Sequence, residues 1–401
     1  MPQVQPAELQ SSTTASTPRA VKHLTYQELD ILHSLRGFCA FYVVIFHAKF
    51  ILWAGGRQYL AVHPRATWNP LDYLLFGLDM LSSGGYEMVI FFFVLSGFFI
   101  RYAQLRKHRA PVAFYINRIV RIYPPYLFSA ALAAGLLAAG VYLAPLILDA
   151  QNGRELNQHL LAAWQELQGF DAYSVLRVLS FRSLADKFIG YNDVYWSLLP
   201  EALFYLAVPL AFWRIRAYYA VSAVAYAVGL VAAKWYTPAD PITSYLLMFN
   251  AYFAVGCWLY DQVVGTEWLA LFRRVSGWLL LATVTVLMGL LLALAVLKFK
   301  AASGLVATVL AVVSVSALLA GRVPRQNVLV RVMHTIGLFS FTLYLCHFPL
   351  LHFGYSLLVR LTGETVFYAR YYWLAVPLVT FISYGLYWVT ERVSVNYFRK
   401  V

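Results

Sequence analysis

Apolar residues in this chain come in long unbroken runs rather than in short alternations. The stretches 84–103, 122–148, 277–297, 303–320 and 336–359 each approach or exceed the roughly 20 residues that cross a bilayer as a helix. Counted with less uniform runs, the pattern predicts about ten spans. They are placed at 34–53, 84–103, 122–148, 194–212, 217–233, 244–264, 277–298, 303–320, 336–360 and 372–391. The polar stretches between them are short, except for 149–193. That segment mixes Asp, Glu, Arg, Gln and Asn with Trp164, Phe170 and Tyr173. It is expected to fold as one or two short amphipathic helices. The predicted fold class is an all-α integral membrane bundle of about ten transmembrane helices over residues 31–395.

Composition agrees with this pattern. Hydrophobic residues make up 61% of the chain and charged residues 12%, against about 45–50% and about 25% in soluble domains. Residues 1–30 are polar, with the run Ser-Ser-Thr-Thr-Ala-Ser-Thr and no apolar signal-peptide core. They are expected to be a disordered tail, and residues 396–401 a cytoplasmic one. The net charge of +13 raises nucleic acid as a partner. The basic residues sit in short loops between apolar runs, however, which is the pattern of a topology signal. Membrane lipid is the expected partner and nucleic acid is not. The segments on the N-terminal side of the membrane carry most of the basic residues, including Arg101, Arg106, Lys107, Arg109, Arg118 and Arg121. This bias places both termini in the cytoplasm and the protein in the cell membrane. The 149–193 loop then lies on the outer face. Cys39, Cys257 and Cys346 fall inside apolar runs, so neither a disulfide framework nor a zinc site is expected. The sequence does not specify an oligomeric state.

Several spans hold ionisable residues, which are costly in hydrocarbon and point to function. Arg36 and His47 lie eleven residues apart in the first span. Eleven residues return to nearly the same helix face about 16 Å along the axis. Snorkelling accounts for Arg36 taken alone, and packing for His47 taken alone. Glu201 lies in Trp196-Ser197-Leu198-Leu199-Pro200-Glu201. Counted from the outer end of span four it reaches the depth of His47, so a His47–Glu201 pair is allowed. His347 lies in span nine, just before Pro349. Ser96-Gly97 reads as a helix-packing notch. Arg118 and Arg121, one turn apart at the mouth of span three, suit a phosphate.

Together these segments resemble the acyltransferase 3 family of membrane acyltransferases from about residue 30 to 395. The stretches that carry the resemblance are Leu35-Arg36-Gly37 with His47, Phe92-Phe93-Val94-Leu95-Ser96-Gly97-Phe98, Trp196-Ser197-Leu198 with Glu201, and Leu343-Tyr344-Leu345-Cys346-His347. Asn117-Arg118-Ile119-Val120-Arg121-Ile122-Tyr123-Pro124 and Thr390-Glu391-Arg392 add to it. The chain departs from the family at Tyr86-Glu87-Met88, at Ala202 and at Cys346. The resemblance implies a stand-alone O-acyltransferase. Its donor would be cytosolic acyl-CoA, most often acetyl-CoA, with no metal. Its acceptor would be a hydroxyl of a surface glycan such as exopolysaccharide or lipopolysaccharide. In that frame Arg36, Arg118 and Arg121 would hold the phosphates of CoA. His47 would be the general base, oriented by Glu201. His347, Tyr344 and Ser96 are candidate oxyanion donors, and Trp196 is a candidate substrate contact. A covalent acyl-His47 intermediate stays open. The rival readings are a proton-coupled transporter, which would also use buried His and Glu, and a polysaccharide-export subunit.

Overall fold

The computed structural model describes residues 24–107, 110–151, 154–181, 192–233, 235 and 240–394. Ten long apolar helices are present. They are α1 (His33–Leu52), α2 (Gly85–Lys107), α3 (Pro111–Leu143), α4 (Leu198–Trp213), α5 (Ile215–Ala232), α6 (Asn250–Gly265), α7 (Gly277–Val296), α8 (Lys300–Leu319), α9 (Ser340–Thr362) and α10 (Tyr372–Val389). No strand occurs among the described residues. The chain is an all-α, multi-pass membrane protein. α9 is the most buried helix and packs against α1, α3 and α10. α2 packs against α6, α8 and α1.

The boundaries differ from the hydropathy runs in three places. α3 begins at Pro111 rather than near 122, with proline at a first-turn position that needs no N–H. Arg118 and Arg121 therefore lie inside the helix. The ninth run breaks at Phe339 into a separate helix, Val328–Leu338, followed by α9. The polar tail is shorter than expected, because Tyr26–Asp30 is helical. The Thr25 hydroxyl accepts from Glu28 N (3.2 Å), the Glu28 carboxylate accepts from Thr25 N (2.8 Å), and Leu24 and Leu29 are buried. The rest of that tail, 1–23, and the tail expected over 396–401 lie outside the described residues.

The long loop forms the two short helices its pattern suggests, Glu155–Gln168 and Ala172–Leu179. Arg154, just before the first of them, is buried against the C-terminal end of α1. Its guanidinium donates to the carbonyls of Phe50 (2.5 Å), Ile51 (2.7 Å) and Trp53 (2.9 Å). Those carbonyls belong to a helix end and have no intrahelical partner.

Two glycine contacts bring helices to backbone distance. A Cβ on Gly37 would run into the Met333 carbonyl and lie 2.7 Å from Gly337 N, and one on Gly337 would strike the His33 carbonyl. Gly97 of α2 and Gly256 of α6 meet Phe253 and Val94 backbone in the same way, so the Ser96-Gly97 notch serves packing through its glycine. Two carboxylates in or beside the spans are gripped by arginines. Arg101 grips Asp261 with two bonds of 2.8 and 3.1 Å. Buried Asp79 is held by Arg370 (2.9 Å) and Tyr372.

Gly337→Ala should cost about 1–3 kcal/mol by overpacking. Gly354→Ala, in the same arm and facing open space, should be neutral or slightly stabilising. Thermal unfolding of the detergent-purified variants checks this; equal midpoints would mean that the close approach carries no weight.

Candidate active site

α1 and the Val328–α9 arm run side by side from the Gly37/Gly337 contact. Ten residues further along each of them stands a histidine. His47 Nδ1 lies 3.0 Å from His347 Nε2, with the rings stacked. His347 Nδ1 lies 2.9 Å from the carbonyl of Leu343. A carbonyl only accepts, so His347 Nδ1 carries a proton, and in the neutral ring Nε2 is then the acceptor. The proton between the two rings therefore belongs to His47 Nδ1. The remaining nitrogen of a neutral His47, Nε2, keeps its lone pair. His347 is fully buried, whereas His47 is only partly so. Phe348 stands edge-on to His47 with ring centroids 4.9 Å apart and walls the pair with hydrocarbon.

The chain entering α4 departs from the expected path. Asp193–Ser197 forms a tight turn within the bundle rather than at its outer surface. Asn192 donates to the Leu345 carbonyl (2.9 Å). Ser129 of α3 also donates to that carbonyl (2.8 Å), so it accepts from Tyr195 (2.6 Å). Ser197 and Tyr344 share a hydrogen bond of 2.8 Å. Irregular backbone at membrane depth survives only where protein satisfies its polar groups, and these bonds do so. α4 consequently starts deep, and Glu201 in its first turn is carried past the histidines.

Glu201 is thus not the partner of His47, as depth counting suggested. It accepts from Ser96 (3.1 Å) and from Tyr205, one turn along its own helix. Ser96 and Tyr344, the candidate oxyanion donors, both have protein partners: Ser96 donates to Glu201, and Tyr344 donates to the Val194 carbonyl (2.9 Å). Both ring nitrogens of His347 are engaged as well. Trp196 stacks on Tyr86 with centroids 5.6 Å apart.

The three arginines gather near Glu201 and Glu391. Arg36 lies within electrostatic range of Arg121, Glu391, Glu201 and Tyr205. Arg118 stands over the Phe114 and Tyr205 rings at 5.7 and 5.5 Å. Arg121 is exposed. Glu391 was not singled out by its sequence pattern except within the terminal Thr390-Glu391-Arg392. It is buried and accepts from Thr342 N (3.2 Å) and Thr342 Oγ1 (3.1 Å) in the first turn of α9. It therefore caps the helix that carries His347 while facing Arg36 and Arg121. Tyr205, which with Phe204 and Glu201 belongs to the stretch that carries the resemblance, was given no role there, although its spacing of four from Glu201 puts the two on one helix face.

The site therefore has a basic end, held by acids, and a histidine pair further along α1. A family model described as an acyltransferase domain matches residues 29–390, nearly the whole chain. The chain belongs to this acyltransferase family. No match is found among curated proteins or among solved structures. Membership makes the protein a membrane acyltransferase, and its arginines, acids and paired histidines stand on the stretches that carried the resemblance. Among the described residues no group of three or more His, Cys, Asp or Glu is placed to hold a metal ion.

Ser129→Ala should leave the buried Tyr195 hydroxyl without its acceptor and cost about 1–3 kcal/mol. An unchanged unfolding midpoint of the purified variant would show that the inserted turn does not depend on this bond.

Proposed function

We propose that this acyltransferase moves an acyl group, most simply acetyl, from acyl-CoA at the arginine end to a hydroxyl of a cell-surface glycan at the other. The observation that carries the reading is the Leu343–His347–His47 chain, which leaves His47 Nε2 as a base. The arginine end would face the cytoplasm, with both termini, and the protein would sit in the cell membrane; the bias of basic loops supports this orientation.

A glycan hydroxyl is a weak nucleophile at neutral pH. His47 Nε2 would take its proton as the oxygen attacks the thioester carbonyl. The C–S bond then breaks, and the CoA sulfur leaves with the proton returned by His47. An ester and free CoA–SH result. His347 takes the place that an acid holds in a triad. It fixes the His47 tautomer and shares the positive charge that forms there. Glu201 and Glu391 balance the arginines until the phosphates of the donor arrive. A guanidinium fork binds phosphate through paired bonds.

Membranes containing the protein should transfer radiolabel from acetyl-CoA to glycan. His47→Ala should lower that transfer by about 10²-fold or more at normal protein levels. His347→Gln, whose amide oxygen can accept from His47 Nδ1, should retain more activity than His347→Phe. Wild-type rates in both His347 variants would rule out the relay. Failure of the wild type to consume acetyl-CoA would overturn acetyl-CoA as the donor. Mass spectra of surface glycans from a deletion strain, searched for a lost acetyl increment, would identify the acceptor.

A further inference from the structure

A cleft of about 250 Å³ lies between the Tyr26–Asp30 turn and the helix Val328–Leu338, lined by Asp30, Ile31, Arg325, Arg331, His334 and Thr335 among others. It holds none of the residues used above. Arg325 and Arg331 are exposed at its rim, and Arg325 donates to the Gln27 carbonyl at 2.8 Å. Within it His334 Nε2 meets the Asp30 carboxylate at 2.9 Å. A basic loop alone is explained by topology. A formed cleft containing two arginines, an acid–histidine pair and an apolar wall is not.

One lining residue of the cleft also touches the helix that carries Arg36. The ring of His334 stands edge-on to that of His33, centroids 5.8 Å apart. His33 lies within electrostatic range of Arg36 and Arg121. Basic side chains thus lie on both sides of the His334–His33 ring contact, Arg325 and Arg331 in the cleft and Arg36 and Arg121 beyond it. From His334 to His347 is thirteen residues along the Val328–α9 arm, or about 20 Å of helix. That length suits an extended pantetheine diphosphate reaching from a nucleotide to a reacting thioester.

We propose that this cleft seats the nucleotide end of acyl-CoA. Arg325 and Arg331 take the 3′-phosphate. Asp30 and Thr335 accept from the adenine amino group, Ile31 packs on the base, and the diphosphate passes to Arg36 and Arg121. The proposal rests on the acyl-CoA reading above. An anionic lipid headgroup would offer the same arginines similar charge, so the experiment separates the two.

Protein in nanodiscs, with and without anionic lipid, is assayed with acetyl-CoA and with 3′-dephospho-acetyl-CoA. The wild type should prefer acetyl-CoA by roughly ten- to hundredfold in kcat/KM. Arg325→Gln/Arg331→Gln should bring the two donors close to parity, mainly by loss on acetyl-CoA. Arg325→Lys and Arg331→Lys should each keep part of the preference and decide the matter if the double variant does not fold. A wild type indifferent to the 3′-phosphate would overturn the assignment. So would variants that keep the full preference, or that lose both donors equally and only in anionic discs. Absence of turnover with either donor would overturn the acyl-CoA reading and the nucleotide seat with it.

Discussion

Backbone meets backbone where α1 crosses the helix Val328–Leu338 at Gly37 and Gly337, and the histidine pair of this protein depends on that approach. A hydrogen bond between two imidazoles needs ring nitrogens about 3 Å apart. Side chains that short can reach each other only from helices in close contact. Because the two arms leave the glycine contact in step, His47 and His347 arrive together ten residues later. The Leu343 carbonyl then orders the protons along both rings. Hydrocarbon around the pair keeps water from competing for those bonds.

The second constraint is the cost of charge in a membrane. Cations and acids in or beside the spans are set against one another. Arg101 is matched by Asp261, Asp79 by Arg370, and Arg36 lies between Glu201 and Glu391. The first two matches are closed, with the carboxylate gripped by a guanidinium. The third is open: the acids are held by Ser96, Tyr205 and Thr342 rather than by the arginine itself. An arginine balanced at a distance keeps its hydrogen bonds available for an incoming anion. This difference separates the closed ion pairs from the proposed binding site on one and the same fold.

Much of this was legible in the sequence. Span number follows from run length, and the shared face of Arg36 and His47 follows from an eleven-residue separation on one helix. Those inferences depend on local geometry alone. The depth of Glu201 was not legible, because it depends on where α4 starts. Counting inward from a presumed outer surface assumes that helices start at that surface. The turn at Asp193–Ser197 starts inside instead, held by Ser129, Leu345 and Tyr344 from elements far away in sequence. Glu391 was hidden for a similar reason: a carboxylate near the end of the last span reads as an interfacial charge until the first turn of α9 is found beside it. The sequence pointed to Glu201 as the partner of His47, and finding His347 in its place required the relative placement of helices three hundred residues apart.

The Arg154 guanidinium gives α1 a second fixed point. One end of that helix is locked by glycine against the Val328–Leu338 arm, and the other is tied through three carbonyls to the long loop. α1 is therefore a strut held at both ends, with His47 between the fixings. A pull on the segment around Arg154 is therefore passed along the helix that bears His47, so movement of that segment and alignment of the histidine pair become mechanically linked.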